Sequence, residues 1–186
     1  MDLFGAPSFY SLGGRKYCLV IVDDYSRYTW VYFFKRKSET QQTVIDFANE
    51  AQRQHNAKIL TIRSDNDTEF KNYTLDEFLS DEGIKHQYSA PYTPQQNSVA
   101  ERKNRTLMDA ARTMMAEFKS PYNFWAKAIN TACHASNRVT SQIFNLECYT
   151  LDHQCISYFL AFGWILEILR NSRTLGESWG FRYLHF

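Results

Sequence analysis

The chain has 186 residues, 44% hydrophobic and 22% charged, an ordinary composition for one globular domain with a sizeable core. Its net charge of +1 excludes a bulk polycation, so any nucleic-acid binding must rest on where the bases lie. Cys18, Cys133, Cys148 and Cys155 have no C-x-x-C spacing, which excludes a regular disulfide framework and points to free thiols in a reducing compartment.

The sequence does not open on a basic stretch followed by an apolar one, so no signal peptide is expected. Asp2-Leu3-Phe4 reads as part of a strand, and Gly13-Gly14 as a turn. Tyr17–Val22 and Tyr28–Phe34 are β-rich apolar runs joined by the short polar link Asp23 to Arg27, which predicts an antiparallel meander. Asp23 and Asp24 are expected to satisfy turn amides or pair with Arg27. Trp30, Tyr32, Phe33 and Phe34 read as packing residues on the sheet faces.

Ser38 and Gln41 have the spacing of a capping box before a helix over 39–54, whose Val44, Ile45, Phe47, Ala48 and Ala51 recur at helical spacing. Lys58–Arg63 predicts a strand delivering Ser64-Asp65-Asn66 at its end. A short helix over 72–82 and a strand from Ile84 to Tyr88 follow. Thr93-Pro94 then supplies an N-cap and first-turn proline for a long helix with Val99, Ala100, Leu107, Ala110, Ala111, Met114 and Met115 on its apolar side. A last helix over 121–138 turns Phe124, Trp125, Ala128, Ile129 and Ala132 inward. This order predicts an α/β layer fold with a mixed sheet and helices on both faces.

The final forty residues read differently. The apolar run 155–169 is too short for a bilayer span and contains Glu167, so a buried or poorly folded helix is expected and no membrane association. Cys148, His153 and Cys155 lack a fourth zinc ligand at a suitable spacing.

In this layout Asp2 lies on the first strand, Asp65 at the exit of the fourth, and Glu101 in the first turns of the long helix. Were the first and fourth strands neighbours, three carboxylates would converge and repel one another unless a cation neutralised them. Hard oxygen ligands with open positions suit Mg2+ or Mn2+, and two such ions can work on a phosphodiester. From spacing alone this is one carboxylate triplet among several. Glu101 could equally pair with Arg105 one turn on, for a few tenths of a kcal/mol. Glu69 could line the site, while His86 and His134 read as structural.

Asp2-Leu3-Phe4-Gly5, Val22-Asp23-Asp24-Tyr25-Ser26-Arg27, Arg63-Ser64-Asp65-Asn66 and Pro91–Thr106 ("PYTPQQNSVAERKNRT") occur in this order and resemble the catalytic core of copia-type LTR retrotransposon integrases. The similarity covers about residues 2–144, and 35 residues separate Asp65 from Glu101, the spacing that names the D,D(35)E group. The resemblance implies an RNase H-like three-layer fold with a mixed five-stranded sheet flanked by helices. It also implies a two-metal site of Asp2, Asp65 and Glu101 holding Mg2+ or Mn2+, and 3′ processing and strand transfer on DNA ends. Asn97, Lys103 and Arg105 would then contact DNA, with Asn97 in the loop before the helix. Element ends and target DNA are the implied partners, with self-association and a nuclear location.

The sequence departs from the pattern at Asp67 and Ser98, where the family usually has glycine. Asp67 adds negative charge near the metals, and Ser98 would be strained by about 1 kcal/mol if the loop needs positive φ there. The family's N-terminal zinc domain is not present in the sequence, and residues 145–186 form a divergent aromatic-rich tail. The expected organisation is therefore an N-terminally truncated core over 1–144 plus that tail, and these features weigh against turnover. The alternative is a catalytically inactive DNA-binding remnant of a transposable element.

Overall fold

The structure, a computed structural model, describes residues 1–5, 9–89 and 97–144, with backbone alone for 141–144. Strands β1 (Asp2–Gly5), β2 (Tyr17–Val22) and β3 (Thr29–Phe34) form the expected antiparallel meander, with Asp2 opposite Val20 and Val22 opposite Thr29. Asp23 sets the β2–β3 turn: its Oδ2 accepts from the Ser26 N–H at 2.8 Å and the Ser26 hydroxyl at 2.6 Å. Asp24 pairs with Arg27 at 2.8 Å, and Arg27 takes a left-handed φ of 60°. Both aspartates are thus turn residues.

Strand β2 is apolar throughout because both of its faces are covered. Helices α1 (Thr40–His55) and α2 (Tyr73–Asp81) pack on one face, α3 (Ser98–Glu117) and α4 (Trp125–Phe144) on the other. Leu19 and Ile21 join Val44, Leu75 and Leu79 on the first side, whereas Cys18 and Val20 join Leu107, Ala111 and Ile129 on the second. Leu19 and Val20 are fully buried, each stabilising by about 1.5–3 kcal/mol. Strand β3 follows the same alternation. Trp30 and Tyr32 meet the edge of Phe47, while Phe33 meets Trp125 with centroids 5.6 Å apart.

The entry to α1 differs from the capping box expected at Ser38. A 3-10 turn over Lys37–Glu39 precedes the helix, and Glu39 accepts from the Arg36 N–H at 2.8 Å. The side chain of Asn72 does cap α2, accepting from the Thr74 N–H at 2.9 Å. On α4, Asn137 binds the start of β3, accepting from the Thr29 N–H at 3.0 Å and donating to its carbonyl at 2.7 Å. Cys18 and Cys133 are buried, and the Cys133 Sγ donates to the Thr29 carbonyl at 3.2 Å.

Strand β4 (Thr61–Ser64) pairs in parallel with β5 (Lys85–Tyr88). By backbone hydrogen bonds the five strands thus form sheets of three and two. They meet where the Met1 nitrogen donates to the Arg63 carbonyl at 2.6 Å, a single bond and too little for a ladder. That bond places β1 beside β4, giving the spatial order β3-β2-β1-β4-β5.

No helix among the described residues is long and apolar enough to cross a membrane. The Thr93-Pro94 cap, the tail 145–186 and the Cys148/His153/Cys155 group lie outside the described residues.

Candidate active site

Two of the three expected carboxylates meet at the β1–β4 junction. The Asp65 carboxyl is pushed from an ordinary 3.8 up to about 7, first by burial, then by the negative charges of Asp67 and Asp2. A hydrogen bond from the Asp67 backbone pulls the other way, while hydrogen-bond contact with Asp2 favours the protonated form. The Asp65 Oδ1 is buried and has no hydrogen-bond partner among the described residues. A buried acceptor without a donor is destabilising by about 1–3 kcal/mol, more for a charged one.

Helix α3 is held against this pair by Asn104. The residue is 7% exposed, and its Nδ2 donates to the Asp2 Oδ2. Asn97, just before the helix, is also buried and donates to the Met1 carbonyl at 3.4 Å. Two amides therefore fix the start of α3 to β1. The sequence reading missed Asn104, because a polar residue at a helix position carries no signal of whether it faces a strand or water.

Glu101 is exposed in the first turn of α3. Among the described residues no three His, Cys, Asp or Glu side chains stand together as a metal-binding group, so this conformation gathers Asp2 and Asp65 without Glu101. The residues expected to contact DNA divide as well. Arg105 is exposed. Asn97 faces inward, and the Lys103 ammonium donates to the Ser136 Oγ of α4 at 2.7 Å, with burial lowering its pKa. Amphipathic packing explains the difference, because position 103 faces α4 and position 105 faces water.

Ser98 begins α3 and is absent from the residues with positive φ, so the strain expected there does not arise. Asp67 acts as expected on charge, being the second cause of the Asp65 shift. Glu69 is taken by Lys37, whose ammonium holds its carboxyl below the usual range.

His86 is not isolated. Its Nε2 lies 3.0 Å from the Ser64 Oγ and its Nδ1 3.4 Å from the Asp76 Oδ1, while the Ser64 hydroxyl donates to the Asp65 carbonyl at 3.0 Å. Tyr88 donates to the same Asp76 oxygen at 3.0 Å, and burial helps push its hydroxyl up to about 12. Ser64 is fully buried, so this network buttresses the strand end carrying Asp65 and exposes no nucleophile.

A divalent cation fits Asp2 and Asp65. Both offer hard oxygen donors, their charges oppose one another, and the orphaned Oδ1 gains a partner.

Residues 1–94 match an integrase core domain family, and residues 82–126 match a second integrase core domain family. The chain is 39% identical over 140 residues to a retrovirus-related Pol polyprotein from transposon TNT 1-94 of Nicotiana tabacum, covering 75% of this chain and 10% of that protein. It is 34% identical over 146 residues to the Pol polyprotein from transposon RE1 of Arabidopsis thaliana, covering 78% of this chain and 10% of that protein. The chain thus spans about a tenth of the length of the curated relatives it matches. A cryoEM structure of the simian T-cell lymphotropic virus intasome in complex with PP2A regulatory subunit B56 gamma shares the fold. Its TM-score is 0.54 at 20% identity, covering 80% of this chain and 50% of that one.

Proposed function

The chain belongs to the integrase core family of retrotransposon polyproteins, and from that premise we propose that it is a Mg2+- or Mn2+-dependent polynucleotidyl transferase, cleaving element DNA ends and joining them to target DNA. The observation that carries this reading is the buried, unpartnered Asp65 Oδ1 beside Asp2. Other buried polar atoms, such as Thr40 Oγ1 and Trp30 Nε1, also lack partners among the described residues, but only this one belongs to a carboxylate set against a second carboxylate.

Asp2 and Asp65 would hold divalent cations, with Glu101 completing the set when α3's first turn closes on them. Bound there, such ions lower the pKa of an attacking water or hydroxyl and stabilise the departing oxygen of the phosphodiester. Asn104 fixes Asp2 by occupying Oδ2, which leaves its other oxygen for a ligand. Asp67 strengthens the negative field at Asp65 and so the demand for a cation. Arg105, exposed on α3 one turn beyond Glu101, would meet phosphate; Lys103 would first have to leave Ser136. Self-association on two DNA ends and work in the nucleus belong to the same reading.

The exposed Glu101 favours one rival, a remnant that binds DNA without cutting it. Nicking and joining of labelled DNA ends separates the two. Mg2+- or Mn2+-dependent product that vanishes in Asp65→Asn and Glu101→Gln supports the transferase. DNA binding without product, at any divalent concentration, leaves the remnant.

A further inference from the structure

The end of the fold away from the carboxylates carries a second chemically distinctive surface. Segment 9–17, between β1 and β2, is tied to the α3–α4 turn by the Leu12 N–H donating to the Asn123 carbonyl at 3.0 Å. That tie brings the Phe9 and Tyr122 rings together, centroids 5.0 Å apart and planes within 9°. Neither ring serves the core: Phe9 is 52% exposed and Tyr122 66%, with Tyr10 at 63% beside them.

Segments 9–17 and 118–127 contain Arg15, Lys16, Lys119 and Lys127 and no Asp or Glu. The Lys16 ammonium lies 6.0 Å from the Tyr10 ring centroid and 5.9 Å from that of Tyr17. Arg15 stands near enough to Lys127 to add to the burial that lowers its pKa. Lys35 joins the group, its Cε 3.7 Å from where a Cβ on Gly14 would stand. The nearest acid in sequence is Glu117, at the end of α3, so within these two segments the cations outnumber the acids.

Open, stacked rings among cations fit a ligand that offers both flat π faces and negative charge. An acidic peptide brings charge without faces, and a duplex keeps its bases stacked inside. We propose that this surface binds single-stranded nucleic acid, one unpaired base stacking on the Phe9–Tyr122 pair while Arg15 and Lys16 hold the flanking phosphates. It lies about 20 Å from Asn104 along α3, taking about 1.5 Å per residue, and so stands apart from the carboxylates.

Fluorescence anisotropy on the full chain tests this with two probes, a short oligothymidylate and an abasic strand of equal length. EDTA in the buffer keeps divalent cations, and hence the carboxylate pair, out of the result. Wild-type protein should bind oligothymidylate on the order of tenfold more tightly than the abasic strand. The double substitution Phe9→Ala, Tyr122→Ala should remove that preference and keep abasic affinity within about twofold, whereas Arg15→Ala, Lys16→Ala should weaken both probes and flatten the salt dependence. Phe9→Leu, Tyr122→Leu retains apolar bulk and must lose the preference too. Equal wild-type affinity for the two probes overturns the proposal, as does a preference that survives ring removal in protein with an unchanged circular dichroism spectrum.

Discussion

In metal-free protein, ionising Asp65 should destabilise the fold. Its carboxyl binds a proton up to about 7 in the folded chain and only to 3.8 in an ordinary setting. Between those values the folded state holds more protons than the unfolded state, so stability falls as pH rises through the window and is lowest above it. At about 1.36 kcal/mol per pH unit the ceiling is ~4 kcal/mol, and water at this partly open carboxyl screens it to ~2 kcal/mol. Urea unfolding followed by tryptophan fluorescence in EDTA, run on wild type and Asp65→Asn at about pH 5 and about pH 8.5, isolates the group because other titrations cancel in the difference. Only the part of the window above pH 5 falls in that interval, so wild type should lose ~1 kcal/mol relative to the variant across it, and Mn2+ should restore it. A wild-type-to-variant difference that stays constant across the interval would refute the argument.

Asp67→Gly removes the second cause of the same shift, so the Asp65 carboxyl should titrate closer to the ordinary range, read as a lower midpoint by carbon-detected NMR. Asn104→Ala deprives Asp2 of its donor and should destabilise the fold by about 1.5–3 kcal/mol in thermal or urea unfolding, a loss that Asn104→Asp should exceed at neutral pH. Asp23→Ala should lower stability by about 1 kcal/mol through the β2–β3 turn and leave Mn2+ affinity unchanged, which separates a turn aspartate from a ligand.

The meander, the four helices and the two-faced burial of β2 were readable because apolar periodicity survives in a single sequence. Val44, Leu107 and Ile129 fall where their spacing puts them. Local chemistry was harder to read. Ser38 has the form of an N-cap, but the chain closes the Arg36–Glu39 turn first, and nothing in the residue types ranks one turn above the other. The meeting of Asp2 with Asp65 was legible only through the assumption that β1 and β4 are neighbours, which a single Met1–Arg63 bond now carries. Asn104 and the inward turns of Asn97 and Lys103 were not legible, because polar residues at helix positions give no sign of whether they face a strand, a helix or water. The Ser64–His86–Asp76 contacts escaped for the same reason: they join residues from three elements.

Calorimetric titration of the metal-free protein with Mn2+ tests the central claim most directly, since the Asp2–Asp65 pair is held to be a cation site. The account predicts saturable binding that releases protons near neutral pH, as the raised Asp65 carboxyl ionises, and that disappears in Asp65→Asn. Binding of equal affinity in the variant, or no saturable binding in folded wild-type protein, would contradict it.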